Sequence, residues 1–256
     1  MFGRDVPAGV SCRDVSFSYG AREALDRVSF NIGLGVTGLL GPNGAGKSTL
    51  LNILATVNRP RSGEVVLNGR DPGVGGRREL DRIRASIGYL PQRFSLMMGA
   101  TCLRNVAYAA WCNGVAPGGV EAAARDALAL VDLAGQAGER AGRLSGGQRQ
   151  RLGLACVIAH RPAVLLLDEP TVGLDPAQRV GVRRHLRRVA EDCCVLLSTH
   201  IVEDLVQMAS NTVVLASGRV VFEGPVAELA RLGSQGASES LSPVEGGYLA
   251  LLEEGA

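Results

Sequence analysis

Gly41-Pro42-Asn43-Gly44-Ala45-Gly46-Lys47-Ser48 fits the pattern GxxxxGK[ST] and stands between two segments of different periodicity. Before it, Val36 to Leu40 is a short apolar run of strand length. After it, Lys47 to Val57 sets Leu50, Leu51, Ile53 and Leu54 at helical spacing. A strand, a glycine loop and a helix in that order make a phosphate cradle. The glycines let successive amides turn inward on phosphate oxygens, and the helix adds the positive end of its dipole. The pattern assigns Gly41, Pro42, Asn43, Gly44, Ala45 and Gly46 to the cradle and Lys47 to the β and γ phosphates. Ser48 becomes a Mg²⁺ ligand, with Thr49 beside it at the phosphate end. The alternative, a plain glycine-rich turn, is disfavoured by the placement between strand and helix.

The composition sets Lys47 apart. Of the 27 Lys and Arg residues, all but Lys47 are arginine. That usage reads as a coding bias, and the exception falls where a compact ammonium enters a narrow anion site that a planar guanidinium would not fit. Farther along, Val164-Leu165-Leu166-Leu167 runs into Asp168-Glu169. A strand ending in two carboxylates is by itself as readily a solvated turn. Beside a phosphate loop, Asp168 becomes the residue of the Mg²⁺ shell and Glu169 the general base for water attacking the γ phosphate. Together the two motifs define a P-loop NTPase.

The rest of the chain is consistent with an α/β core. Val10 to Phe17 and Leu25 to Ile32 alternate apolar and polar residues around the turn-like Tyr19-Gly20-Ala21-Arg22, and Gly63 to Asn68 is similar, which predicts an antiparallel β subdomain. Ile87 to Leu90, Val164 to Leu167, Val195 to Ser198 and Val213 to Leu215 are runs of the kind found in fully buried parallel strands. Between the second and third core strands, about 92–160, Leu103 to Trp111, Val120 to Val131 and Gly146 to Ala159 predict an inserted α-helical subdomain. After Arg231 glycine and serine dominate. Residues 232–256 are therefore expected to be a flexible tail, with one or two helical turns around the apolar Tyr248 to Leu252, following an ATPase domain over 1–231.

Charge and cysteine usage narrow the class. A formal net charge of +2 gives no reason to expect a nucleic-acid partner, and 46% apolar with 20% charged residues excludes a disordered chain. The N-terminus lacks a signal-peptide core and no apolar run approaches the roughly 20 residues of a membrane span, so a cytoplasmic protein is expected. The six cysteines lack CxxC spacing, which predicts reduced thiols and no metal site of their own.

Leu144-Ser145-Gly146-Gly147-Gln148 opens a predicted helix inside the insertion. Alone it reads as a helix-capping loop. Following a phosphate loop and preceding the Asp-Glu strand, it resembles the signature of the ABC ATPases, and the resemblance runs from Val10 to about Arg231 with each family motif in order. The fold it implies is a RecA-like P-loop core carrying an antiparallel β subdomain and an inserted helical subdomain. The cofactors implied are ATP and Mg²⁺. Tyr19, otherwise a turn or core tyrosine, would stack on adenine. Gln92 would sense Mg²⁺ and the attacking water, His200 would contact the γ phosphate, and Asp175 would lie in the loop crossing between two subunits. Ser145, Gly146, Gly147 and Gln148 would close over a nucleotide held by the phosphate loop of another ATPase subunit, in a homodimer or a heterodimer. His160 and His185 match no motif and are expected to be a helix-end residue and a solvated one.

The same resemblance implies integral membrane transporter subunits as partners, with the chain peripheral on the inner face of the membrane. Phe94, Leu96, Met97 and Met98 either line a groove for a cytoplasmic helix of that partner or fold back into the core. Ser198-Thr199-His200-Ile201-Val202-Glu203-Asp204 and the short tail resemble separate-subunit exporters of drugs or antibiotics, so small-molecule export is the expected function. The alternatives are an importer ATPase, a soluble ABC ATPase outside transport, and a module that binds ATP without hydrolysing it. Glu169 and His200 together oppose the last.

Overall fold

Strand β6 (Val164–Asp168) buries all of its residues and divides them between two cores. Val164 and Leu166 enter one, Leu165 and Leu167 the other. The neighbouring β7 (Cys194–Thr199) does the same, with Cys194 and Leu196 on one side and Val195 and Leu197 on the other. Side chains alternate along a strand, so a continuous apolar run requires cover on both faces of its sheet. The computed structural model, which describes residues 9–234 and 241–254, supplies that cover.

The central sheet has six strands in the order β5 (Ile87–Leu90), β6, β7, β3 (Gly35–Leu40), β8 (Asn211–Ala216) and β9 (Arg219–Pro225). The first five are parallel, and β9 runs antiparallel to β8. A second sheet, β2 (Arg22–Ile32), β1 (Val10–Tyr19) and β4 (Ser62–Leu67), is antiparallel. It shares a core with helix α1 (Lys47–Leu54) on one face of the central sheet. On the other face lie α3 (Cys102–Cys112), α4 (Val120–Leu130) and α5 (Gly146–Ile158) of the insertion, together with α6 (Pro176–Val189). α2 (Gly76–Ala85) precedes β5 and α7 (Val202–Met208) follows β7. This is the mixed α/β fold, with an antiparallel β subdomain and a helical subdomain, that the sequence implies.

Topology brings the site together. β6, β7 and β3 are adjacent, and Asp168 pairs with Ser198 while Leu40 pairs with Thr199. The carboxyl ends of the three strands are therefore level, and their following loops share one edge of the sheet, where open α/β sheets bind ligands. The turn from β3 into α1 depends on Gly46 at φ 106°, where a Cβ would lie 2.6 Å from the Ala24 carbonyl oxygen. α1 stops at Leu54, three residues before the expected Val57. Thr56 takes φ 58°, its N–H donates to Ile53 O, and the Val57 N–H donates to Asn52 O, which together terminate a helix.

Two expectations are corrected. The segment after Arg231 is not simply a tail with a turn or two. α8 (Val226–Ser234) runs past the expected boundary, and α9 (Pro243–Glu254) forms a further helix whose Val244 joins Leu40, Leu205, Val214, Val226 and Leu229 in a third core. Its glycines serve close approach: a Cβ on Gly247 would lie 2.0 Å from the Leu229 carbonyl oxygen. Residues 235–240, where the linker was expected, lie outside the described residues. His185 is buried rather than solvated, because Val182, His185 and Leu186 form the inner face of α6. Neither of its ring nitrogens makes a hydrogen bond. Nε2 stands 3.4 Å from Asp132 Oδ2, and burial holds the imidazole pKa below its ordinary value against the opposing pull of Asp132. His160 lies just past α5 with Nε2 3.0 Å from the Ile87 carbonyl oxygen. All six cysteines are free, and burial pushes the Cys156, Cys193 and Cys194 thiols up to about 12.

Candidate nucleotide site

Lys47 is the first residue of α1, and its side chain folds back into the loop that precedes it. Nζ donates to the carbonyl oxygens of Gly41 at 2.7 Å and Pro42 at 3.0 Å. An ammonium carries three donors, so one remains for a ligand in the cradle. The group is only 6% exposed. Burial lowers its pKa, while the nearby carboxylates of Glu169 and Asp168 raise it and so offset part of the desolvation cost of keeping it charged.

Those carboxylates leave the end of β6. Asp168 is buried, and its Oδ1 accepts a 2.5 Å hydrogen bond from Ser198 Oγ. Glu169 follows in the left-handed region at φ 50°, a conformation that costs a non-glycine residue of order 1–3 kcal/mol unless its surroundings impose it. Its N–H donates to Ser198 Oγ at 2.9 Å. One carboxylate oxygen accepts from Gln92 Nε2 at 2.8 Å, and the other lies 2.9 Å from His200 Nδ1. Gln92 follows β5 and His200 follows β7, so residues from both neighbouring strands converge on Glu169.

A cavity of about 520 Å³ opens beside this cluster. Asn43, Gly44, Gly46, Lys47, Ser48 and Thr49 line it, as do Gln92, Glu169 and Tyr19. Tyr19 is 52% exposed, stands edge-on to Phe17 at 4.9 Å, and receives a 3.3 Å hydrogen bond on its hydroxyl from Asn58 Nδ2. A glycine loop with a buried ammonium and an exposed aromatic on the wall of one cavity suit a nucleoside triphosphate. Ser48, on the cavity wall, and Asp168, buried and not part of the wall, carry hard oxygen donors of the kind Mg²⁺ takes.

Gly41, Pro42 and Ala45 belong to the same loop but do not line the cavity. Ser145, Gly146, Gly147, Gln148 and Asp175 are also absent from its walls. Ser145 instead caps α5, accepting from Gln148 N–H at 3.2 Å while its own N–H donates to Gln148 Oε1 at 2.9 Å. Asp175 caps α6, its Oδ1 accepting from Gln178 N–H at 2.8 Å. Ser145, Gly146 and Asp175 are exposed, whereas Gly147 is buried.

Sequence reasoning missed two contributions. Arg22, Glu23 and Ala24 line the cavity because the turn after Tyr19 returns β2 along its wall, and no residue pattern marks them. Ser198 had a legible signal, a hydroxyl within a buried apolar strand, that was not assigned a role. After Gln92 the apolar residues divide: Phe94 and Leu96 pack against the helical core, whereas Met97 and Met98 remain exposed.

The ABC transporter family model matches residues 25–172. The methionine import ATP-binding protein MetN of Mesorhizobium japonicum is 38% identical over 216 residues, covering 83% of this chain and 59% of that protein. The sulfate/thiosulfate import ATP-binding protein CysA of Thermosynechococcus vestitus is 36% identical over 224 residues, covering 86% of this chain and 65% of that protein. The chain thus spans less than two thirds of the length of these relatives. A dimeric structure of a post-hydrolysis state of the ATP-binding cassette MJ0796, bound to ADP and Pi, is similar with a TM-score of 0.75 and 28% identity, covering 84% of this chain and 98% of that one.

Proposed function

The chain belongs to the ABC transporter family, and on that footing we propose that it is the ATP-binding and ATP-hydrolysing subunit of a membrane importer. The observation that carries the proposal is the convergence of Lys47, Asp168, Glu169, Gln92 and His200 at one sheet edge beside the cavity. Import replaces the export expected from sequence. The relatives are import ATP-binding proteins by name, and the short glycine-rich tail that favoured export contains an ordered helix.

Each residue then has a task. Tyr19 stacks on the base. Lys47 and the loop amides neutralise the phosphates. Ser48 and Asp168, with Gln92 nearby, would hold Mg²⁺, which when bound supplies stabilisation of the charge on the β and γ oxygens. Glu169 takes a proton from the attacking water at a carboxylate oxygen. Each of its oxygens has one partner, Gln92 or His200, and keeps a further lone pair that can accept from water, while binding at the γ phosphate gives His200 a competing partner.

Ser145 and Gly146, exposed at the start of α5, support a two-chain site. Ser145, the Gly146 and Gly147 amides and the α5 dipole make a cradle that a γ phosphate on another subunit would fill, while Asp175 would lie at the crossing. ATP then favours the closed pair and hydrolysis releases it, a cycle driven by differential affinity. No helix among the described residues is long and apolar enough to cross a membrane. Transport on this reading requires membrane subunits, with Met97 and Met98 at the docking groove and the chain held on the inner, cytoplasmic face. Mg²⁺-dependent ATPase activity together with copurification of an integral membrane protein is the expected result. ATPase activity with no membrane partner would reject the transporter reading in favour of a soluble machine.

A further inference from the structure

Ser198 is fully buried in β7, next to β6, and its single hydroxyl bridges the two acidic residues of the site. Its one hydrogen goes to Asp168 Oδ1 at 2.5 Å, and its oxygen accepts the Glu169 N–H at 2.9 Å. No other side chain hydrogen-bonds to either of these two groups among the described residues. The bridge therefore fixes two things: the rotation of the Asp168 carboxylate, leaving Oδ2 free of it, and the backbone of Glu169 at φ 50°.

We infer that Ser198 is a positioning residue for ATP hydrolysis, holding the metal-shell carboxylate and the general base in register through one hydroxyl. The inference rests on the ATPase reading above. Ser198 lines no part of the cavity and touches no reacting atom. Its influence passes through Asp168, whose free oxygen must face the metal, and through the amide of Glu169, whose left-handed turn aims the carboxylate toward Gln92 and His200. Removal of the hydroxyl leaves a buried carboxylate oxygen and an N–H without that partner, and both residues then relax away from the working geometry. Because His200 lies two residues beyond Ser198, the bridge also ties the position of His200 to the β6–β7 register.

The test compares the wild type, Ser198→Ala and Ser198→Thr in the full chain. Three quantities are measured: ATP turnover, ATP affinity in EDTA, and Mn²⁺ affinity by electron paramagnetic resonance with a non-hydrolysable ATP analogue. Residues that orient a metal ligand typically contribute about 10- to 100-fold to metal affinity or activity. Ser198→Ala is expected to lose about tenfold or more in both kcat and Mn²⁺ affinity, with metal-free ATP affinity within about twofold of wild type. Ser198→Thr, which keeps the hydroxyl, recovers most of the loss. The inference is overturned if Ser198→Ala keeps its kcat and Mn²⁺ affinity, if metal-free ATP affinity falls in parallel with kcat, or if Ser198→Thr recovers nothing. A wild type that neither binds nor hydrolyses ATP would refute the ATPase reading itself. A wild type that hydrolyses ATP beside an unaltered Ser198→Ala would refute the positioning role alone.

Discussion

His200 Nδ1 lies 2.9 Å from Glu169 Oε1, so the residue expected to touch the γ phosphate and the residue expected to activate water are partners in this structure. Gln92 holds the other oxygen of Glu169. The proposed base is thus held by the two residues that nucleotide would draw away. Glu169→Gln keeps the size and the backbone turn but removes the proton acceptor. Turnover should fall by about 10²- to 10⁴-fold while ATP still binds. With ATP and Mg²⁺ the variant should elute from gel filtration as a dimer. A variant that stays monomeric and still turns over ATP contradicts the role given to Glu169.

The α8–α9 contact depends on the absence of side chains at its crossing, where a Cβ on Gly247 would meet backbone at 2.0 Å. Gly247→Leu should therefore undock α9. Overpacking of this kind typically costs about 1–3 kcal/mol. The expected readout is faster amide exchange across Pro243–Glu254 and a lower thermal midpoint, with ATP affinity unchanged because α9 lines no part of the nucleotide cavity. Native-like exchange in the variant would show that the crossing accommodates a side chain and that α9 does not depend on glycine there.

His185 supplies a pH dependence with a definite sign. Burial lowers its pKa from 6.5 in the folded protein, with Arg184, Arg151 and Arg188 adding to the shift and Asp132 opposing it. As pH falls through 6.5 the unfolded chain binds the proton first. The stability from keeping the imidazole neutral is therefore present above about pH 6.5 and lost below it. His160, also shifted down by burial, adds a slope in the same window. Between about pH 7.5 and pH 5.5 the thermal midpoint of the wild type should fall more than that of His185→Phe. Equal slopes would mean that His185 is not neutral in the fold.

Much of the nucleotide site was legible because its chemistry is local. A glycine loop between strand and helix, and a buried strand ending in two carboxylates, carry their meaning within a few residues, and the apolar runs of β3, β5, β6 and β7 needed no long-range information. The rest depended on packing partners. His185 sits among Arg183, Arg184, Arg187 and Arg188, and only the three-dimensional neighbourhood shows that α6 turns it inward. The glycines of α9 read as flexibility because sequence cannot distinguish a free hinge from a close helix crossing. α2 carries a single buried residue, Ile83, and β9 is an edge strand with none, so neither has the apolar stripe that periodicity detects. The signature residues are a different case, since the contact proposed for them is with another chain.

The central claim is that Lys47, held on the Gly41 and Pro42 carbonyls, meets the terminal phosphates of ATP. Equilibrium binding of ATP and of AMP to wild type and Lys47→Ala, with thermal midpoints as a check on folding, tests it most directly. The account predicts that the wild type prefers ATP strongly over AMP and that the folded variant loses this preference along with turnover. A folded Lys47→Ala protein that binds and hydrolyses ATP as the wild type does would contradict it.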